Sequence, residues 1–172
     1  MSRGGNYDDY DQNFPNEAAF WEQRAKLART SKRGKKALAE LREALMALPQ
    51  KRLIEGALST VAITDRCVNK WQREAVEDHI SRDGEGVCAV GAFIWHKRIK
   101  EGMTPDEAFA SLPVLTDDDG DLTMTADEGK AAGLTWTLAY LLADRNDETY
   151  GHCTPEERFE RYIAWIDAEL AS

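Results

Sequence analysis

Leu38, Leu41, Leu45 and Leu48 recur at steps of three, four and three, while Lys36, Glu40, Arg42 and Glu43 fall elsewhere. That spacing predicts an amphipathic helix, ended at Pro49 because the residue before a proline is pushed out of the helical region. Upstream, Asn16 is placed to cap a first helix in which Phe20, Trp21, Arg24, Leu27 and Ala28 recur near helical spacing as far as about Thr30, with Gly34 interrupting the two. Leu53, Ile54, Ala57 and Leu58 predict a short helix after the turn, and Ser59 to Thr64 is β-branched and ambiguous. Trp71 to Ile80 reads as helix with Trp71, Ala75, Val76, His79 and Ile80 inward, and Asp83 to Gly86 as a turn. Val87 to Trp95 is apolar on nearly every face, which predicts a central helix surrounded by others. Lys97, Arg98 and Lys100 suit its negative end, Gly102 follows, and Gly91 permits close approach.

Thr104-Pro105-Asp106-Glu107 and Thr154-Pro155-Glu156-Glu157 each order a cap, a first-turn proline and a reciprocal acid, opening a short helix before Pro113 and a last helix striped by Phe159, Tyr162, Ile163, Ile166 and Leu170. Thr125 and Glu128 suggest a further capping box for one helix over Ala126 to about Asp144, with Gly129 and Gly133 on one side of it allowing a tight crossing and a loop over 145–148. Residues 1–14 lack periodicity and are expected to form a disordered tail. The expected fold is therefore mainly α: a multi-helix domain around a central apolar helix at about 87–101. It divides into the tail (1–14), a basic amphipathic helical segment (15–60) and an acidic helical core domain (61–172). No repeat of 20 to 50 residues recurs.

Charge changes this picture more than composition does. The chain of 172 residues carries a net charge of −9, yet residues 1–60 hold 11 basic and 8 acidic side chains against 11 and 23 beyond. Arg24, Lys26, Arg29, Lys32, Arg33, Lys35 and Lys36 form a basic run without an intervening acid. Such a run contacts phosphate or an acidic protein face, although a solvated helix surface produces the same pattern. The acidic remainder opposes wrapping by nucleic acid. No window resembles a membrane span or a secretion signal, so a soluble protein without membrane contact is expected. Three widely spaced cysteines, Cys67, Cys88 and Cys153, argue for reduced thiols and a cytoplasmic location.

Candidate chemistry is sparse. Asp117, Asp119 and Asp121 could surround a hard cation, but aligning Gly120 with the glycine of a helix–loop–helix calcium site puts Leu115 and Ala126 where acids belong. A solvated turn explains the loop equally well. Asp144, Asn146, Asp147 and Glu148 cluster near a helix end, where metal binding and capping both suit them. No Cys-x-x-Cys or His-x-x-x-His pair exists, and the neighbours His152 and Cys153 would face opposite ways in an extended segment. Cys88 lies in the most apolar run, where burial makes a thiol inert. The five tryptophans suit helix packing better than base stacking.

The segment Asp83-Gly84-Glu85-Gly86-Val87-Cys88-Ala89-Val90-Gly91-Ala92 resembles the D-G-x-x-C-x-x-G-A stretch of small uncharacterised helical proteins of actinobacteria and their phages. Asn146-Asp147-Glu148 before a terminal helix is similar to their downstream part. The resemblance covers about residues 70–170, leaves out the basic helices, and implies an α-helical intracellular domain of phage origin without assigning any catalytic residue.

The expected function is a non-enzymatic interaction module that binds a host or phage protein through Phe20, Trp21, Arg24, Arg29, Lys32, Arg33, Lys35 and Lys36, with no cofactor. Two alternatives stand beside it. One is a small metal-dependent hydrolase using Asp117, Asp119, Asp121 or Asp147 with His152 and Cys153. The other is weak nucleic-acid binding through the basic run. A homo-oligomer is compatible with all three.

Overall fold

The computed structural model describes residues 15–61, 69–114, 122–147 and 153–172. The expected tail (1–14), the Asp117–Asp121 loop, Cys67, Glu148 and His152 lie outside them. Among the described residues the chain is helical: α1 (Pro15–Thr30), α2 (Lys32–Ala47), α3 (Lys70–Asp83), α4 (Ala89–Lys100), α5 (Pro105–Ala110), α6 (Leu122–Ala131), α7 (Trp136–Asp147) and α8 (Pro155–Ala171). No helix among them is long and apolar enough to cross a membrane.

α4 is central, as its sequence predicts. Every residue from Ala89 to Trp95 is buried, and the helix packs against α2, α5, α6 and α7. Leu38, Leu41 and Leu45 of α2, Leu138 and Leu142 of α7, and Phe159, Tyr162 and Ile166 of α8 join it in one apolar cluster. Each fully buried leucine contributes roughly 1.5–3 kcal/mol relative to an exposed one. Cys88 caps α4, its Sγ accepting from the Gly91 N–H at 3.4 Å. Both expected capping boxes, Thr104 with Glu107 and Thr154 with Glu157, are formed.

Four expectations are corrected. Leu53 to Leu58 is no helix but part of a buried extended strap. Gly56 has φ +68°, which a right-handed helix excludes, and an apolar run buried on all sides carries no period that separates helix from strand. The strap bonds to the turn before α4 through Ile54 N–H to Val87 O (3.2 Å), Thr60 N–H to Gly86 O (2.9 Å) and Cys88 N–H to Leu58 O (3.1 Å). The single helix expected over 126–144 is two helices. Gly133, at φ +106°, ends α6 with bonds from Gly133 N–H to Lys130 O and Leu134 N–H to Gly129 O, so Thr125 lies inside α6 rather than capping it. The expected loop at 145–148 is helical as far as Asp147. Trp71, expected inward, is 80% exposed, because the first turn of α3 exposes Lys70 as well and the helix packs through Ala75, Val76, His79 and Asp83 farther on.

Candidate interaction surface

Two polar systems stand out, one buried and one exposed. The buried system encloses the strap. A buried irregular segment has N–H and C=O groups with no regular partner, and each costs about 1–3 kcal/mol if left unpaired. Here side chains supply the partners. Asp83, at the end of α3, accepts from the Glu55 N–H at 2.9 Å, and Arg158, near the start of α8, donates to Leu53 O at 2.6 Å. Arg158 also pairs with Asp83 at 3.2 Å and Glu55 at 2.9 Å, and Arg82 donates to Glu55 O at 3.1 Å and to His79 Nδ1 at 2.8 Å. Asn146, at the end of α7, donates to Ile54 O at 2.8 Å and accepts from the first N–H of α4, that of Ala89, at 3.1 Å. Asp147 accepts from Asn146 at 2.8 Å and from the Gly56 N–H at 3.4 Å.

The sequence reading missed Asp83, Glu55 and Arg158. A signal for two of them was present: Arg158 lies four residues before Tyr162 on the apolar stripe of α8, and Asp83 four after His79 on that of α3. A charge on a buried stripe requires a buried partner. The contacts of this system close the fold on itself, and among the described residues no group of His, Cys, Asp and Glu is placed to hold a metal ion. Cys153 is half-buried, with its carbonyl accepting weakly from Arg158 at 3.4 Å. Burial pushes the Cys88 thiol up to about 12, so it is protonated near neutrality and is no nucleophile.

The exposed system is α1 with the adjoining edge of α7. Phe20 is 52% exposed and Leu27 58%. They are seven residues apart, hence on one face and about 10 Å apart along the axis. Arg24 lies between them, its guanidinium 5.4 Å from the ring centroids of both Phe20 and Trp21. Trp21, beside Phe20 on the helix, packs at a tilt on Trp136 with ring centroids 6.3 Å apart, and Trp136 stacks on Tyr140 at 5.3 Å. Trp21 therefore fastens α1 to α7 while Phe20 and Leu27 stay outside.

The basic run divides. Arg29 pairs with Glu169 at 3.1 Å, and Lys35 donates to Glu169 O and to Ser172 Oγ, at the negative end of α8. Arg33 reaches Gly133 O at 3.4 Å, at the end of α6, and Lys36 pairs with Glu40 at 3.7 Å on its own helix. Arg42 adds a pair with Asp167, whose carboxyl is held below its usual range by that hydrogen bond. Much of the charge division read from the sequence is thus satisfied inside the molecule, where basic α1 and α2 meet acidic α8. Arg24, Lys26 and Lys32 are left exposed. The expected binding residues consequently separate into Phe20, Arg24 and Lys32 on the surface, Trp21 in a packing role, and Arg29, Arg33, Lys35 and Lys36 engaged within the chain.

Compared with known protein families, with curated proteins and with solved structures, the chain finds no match.

Proposed function

We propose that this protein is a helical interaction module that docks a protein partner on the outer face of α1. The observation carrying this reading is the alignment of two large apolar side chains, each more than half exposed, with an arginine between them on a helix anchored from behind by Trp21. Aromatic, apolar and arginine side chains of this kind anchor interfaces, and anchoring the helix lowers the ordering cost of binding. A nucleic-acid role is disfavoured by the same geometry: the guanidinium of Arg24 lies over the rings of Phe20 and Trp21, and Trp136 and Tyr140 stack on each other, so those faces are engaged within the protein rather than offered to bases. A cytoplasmic location and a phage origin belong to this reading, supported by the odd number and wide spacing of the three cysteines and by the Asp83 to Ala92 segment.

The test is retention of proteins from a lysate of the source organism on the immobilised chain. The wild type and Lys36→Ala should retain the same partner, and Phe20→Ala with Leu27→Ala should lose it while keeping its circular dichroism. Identical retention by the wild type and the double variant, or none by the wild type, would overturn the proposal.

A further inference from the structure

We infer that the occupant of the α1 face is an acidic amphipathic helix whose apolar residues are spaced a heptad apart around a carboxylate. The inference rests on the interaction reading above and adds the chemical class of the partner. At 100° per residue, Phe20, Gln23, Arg24, Leu27 and Thr30 share the outward sector of α1 from its second turn onward, and none of these is acidic. Glu22 falls on the opposite side, and Glu17, the other acid of α1, stands in the first turn, three residues before Phe20 at the edge of this sector. Arg24 has no ion pair among the described residues; it is held over two rings, which leaves its N–H donors for a planar acceptor. The exposed cations Lys26 and Lys32 nearby add to a positive local field on a molecule of net charge −9.

The spacing sets the partner's pattern. Phe20 and Leu27 lie about 10 Å apart along the axis, the rise of seven helical residues, and Arg24 stands between them. A facing helix meets both with apolar side chains at i and i+7 and meets Arg24 with Asp or Glu at i+3 or i+4. A basic helix of the same apolar pattern would set like charges together and bind less well.

The experiment uses the full chain and two fluorescein-labelled, alanine-based peptides of about 20 residues, long enough for appreciable helix. Both carry two leucines a heptad apart; one has glutamates between them and the other lysines. Anisotropy titration should show the glutamate peptide binding at least about tenfold tighter, a difference of about 1.4 kcal/mol. Arg24→Glu should reverse the preference, and Phe20→Ala with Leu27→Ala should abolish binding of both peptides. Equal affinities, or a preference for lysine, would overturn the acidic class while leaving docking on Phe20 and Leu27 intact. Failure of both peptides would overturn the inference too, with lysate retention still deciding the broader reading. Residues 1–14 contain Asp8, Asp9 and Asp11 among Tyr7, Tyr10 and Phe14. Binding of the glutamate peptide only after their removal would assign the face to the chain's own segment, and dimerisation lost in the double variant would assign it to a second copy; either result would refute a separate partner.

Discussion

Replacing Arg158 by Met keeps an unbranched apolar stem and removes the guanidinium with its charge and donors. Arg158 is 4% exposed, and its partners are the Asp83 carboxylate, itself 6% exposed, the Glu55 carboxylate and Leu53 O. Removing one member of a buried ion pair costs about 3–5 kcal/mol because the other charge is left uncompensated. Leu53 O also loses its Arg158 donor, worth about 1 kcal/mol. Two features place the loss near the lower end of the range: Asp83 still accepts from the Glu55 N–H, and Glu55 is one-third exposed. A loss of about 3 kcal/mol is therefore expected, which lowers the Tm of a chain this size by roughly 6–12 °C. Urea denaturation followed by circular dichroism measures it as a shift in midpoint with unchanged slope. Asp83→Leu in the same chain should restore part of the stability, since the two side chains fail together. A loss below about 1 kcal/mol, or strict additivity of the two changes, would refute the claim that the cluster fastens α3, the strap and α8 together.

Gly91→Ala should destabilise by about 1–3 kcal/mol, because the added Cβ would lie 2.2 Å from Leu58 O, the acceptor that ties the strap to Cys88; thermal unfolding checks this, and a neutral result would mean that the strap is not seated on α4. At pH 8 a thiol reagent should label Cys153 in the native protein and Cys88 only after unfolding, as read by peptide mass spectrometry, because Cys88 is buried and its pKa is about 12. The His96 pKa is lowered by burial first and by Lys100 next, against an opposing pull from Glu43. Its folded pKa lies below the unfolded value near 6.5, so its contribution to stability is present above about pH 6.5 and is lost as pH falls through the folded pKa. His96→Gln should flatten the fall in stability below about pH 6.5, and a curve of unchanged slope would count against it.

The helices were legible because their periodicity is a direct consequence of one-sided burial. Leu38, Leu41 and Leu45 on α2 and Phe159, Tyr162 and Ile166 on α8 face the core as their spacing requires. The capping boxes at Thr104 and Thr154 were legible for a local reason, since cap and reciprocal acid are three residues apart. The strap was not, because its order comes from Asp83, Asn146 and Arg158, up to 105 residues distant, rather than from its neighbours. The basic run was misleading for a related reason. Charge along a sequence does not reveal whether the matching acid is on another molecule or, as with Glu169 and Asp167, on the chain's own last helix. Of the surface proposed for recognition, Phe20, Trp21 and Arg24 were visible as an aromatic start to a basic helix; Leu27 was read only as part of the helical pattern, and its exposure is a product of tertiary packing.

The central claim is that the buried ions hold the molecule together and that recognition belongs to the outside of α1. It is tested most directly by measuring Tm and glutamate-peptide affinity side by side for Arg24→Glu. The account predicts a Tm within about 2 °C of the wild type, as for a surface change, together with a loss of affinity of at least about tenfold. Unchanged affinity, or a fall in Tm comparable to that of Arg158→Met, would contradict it.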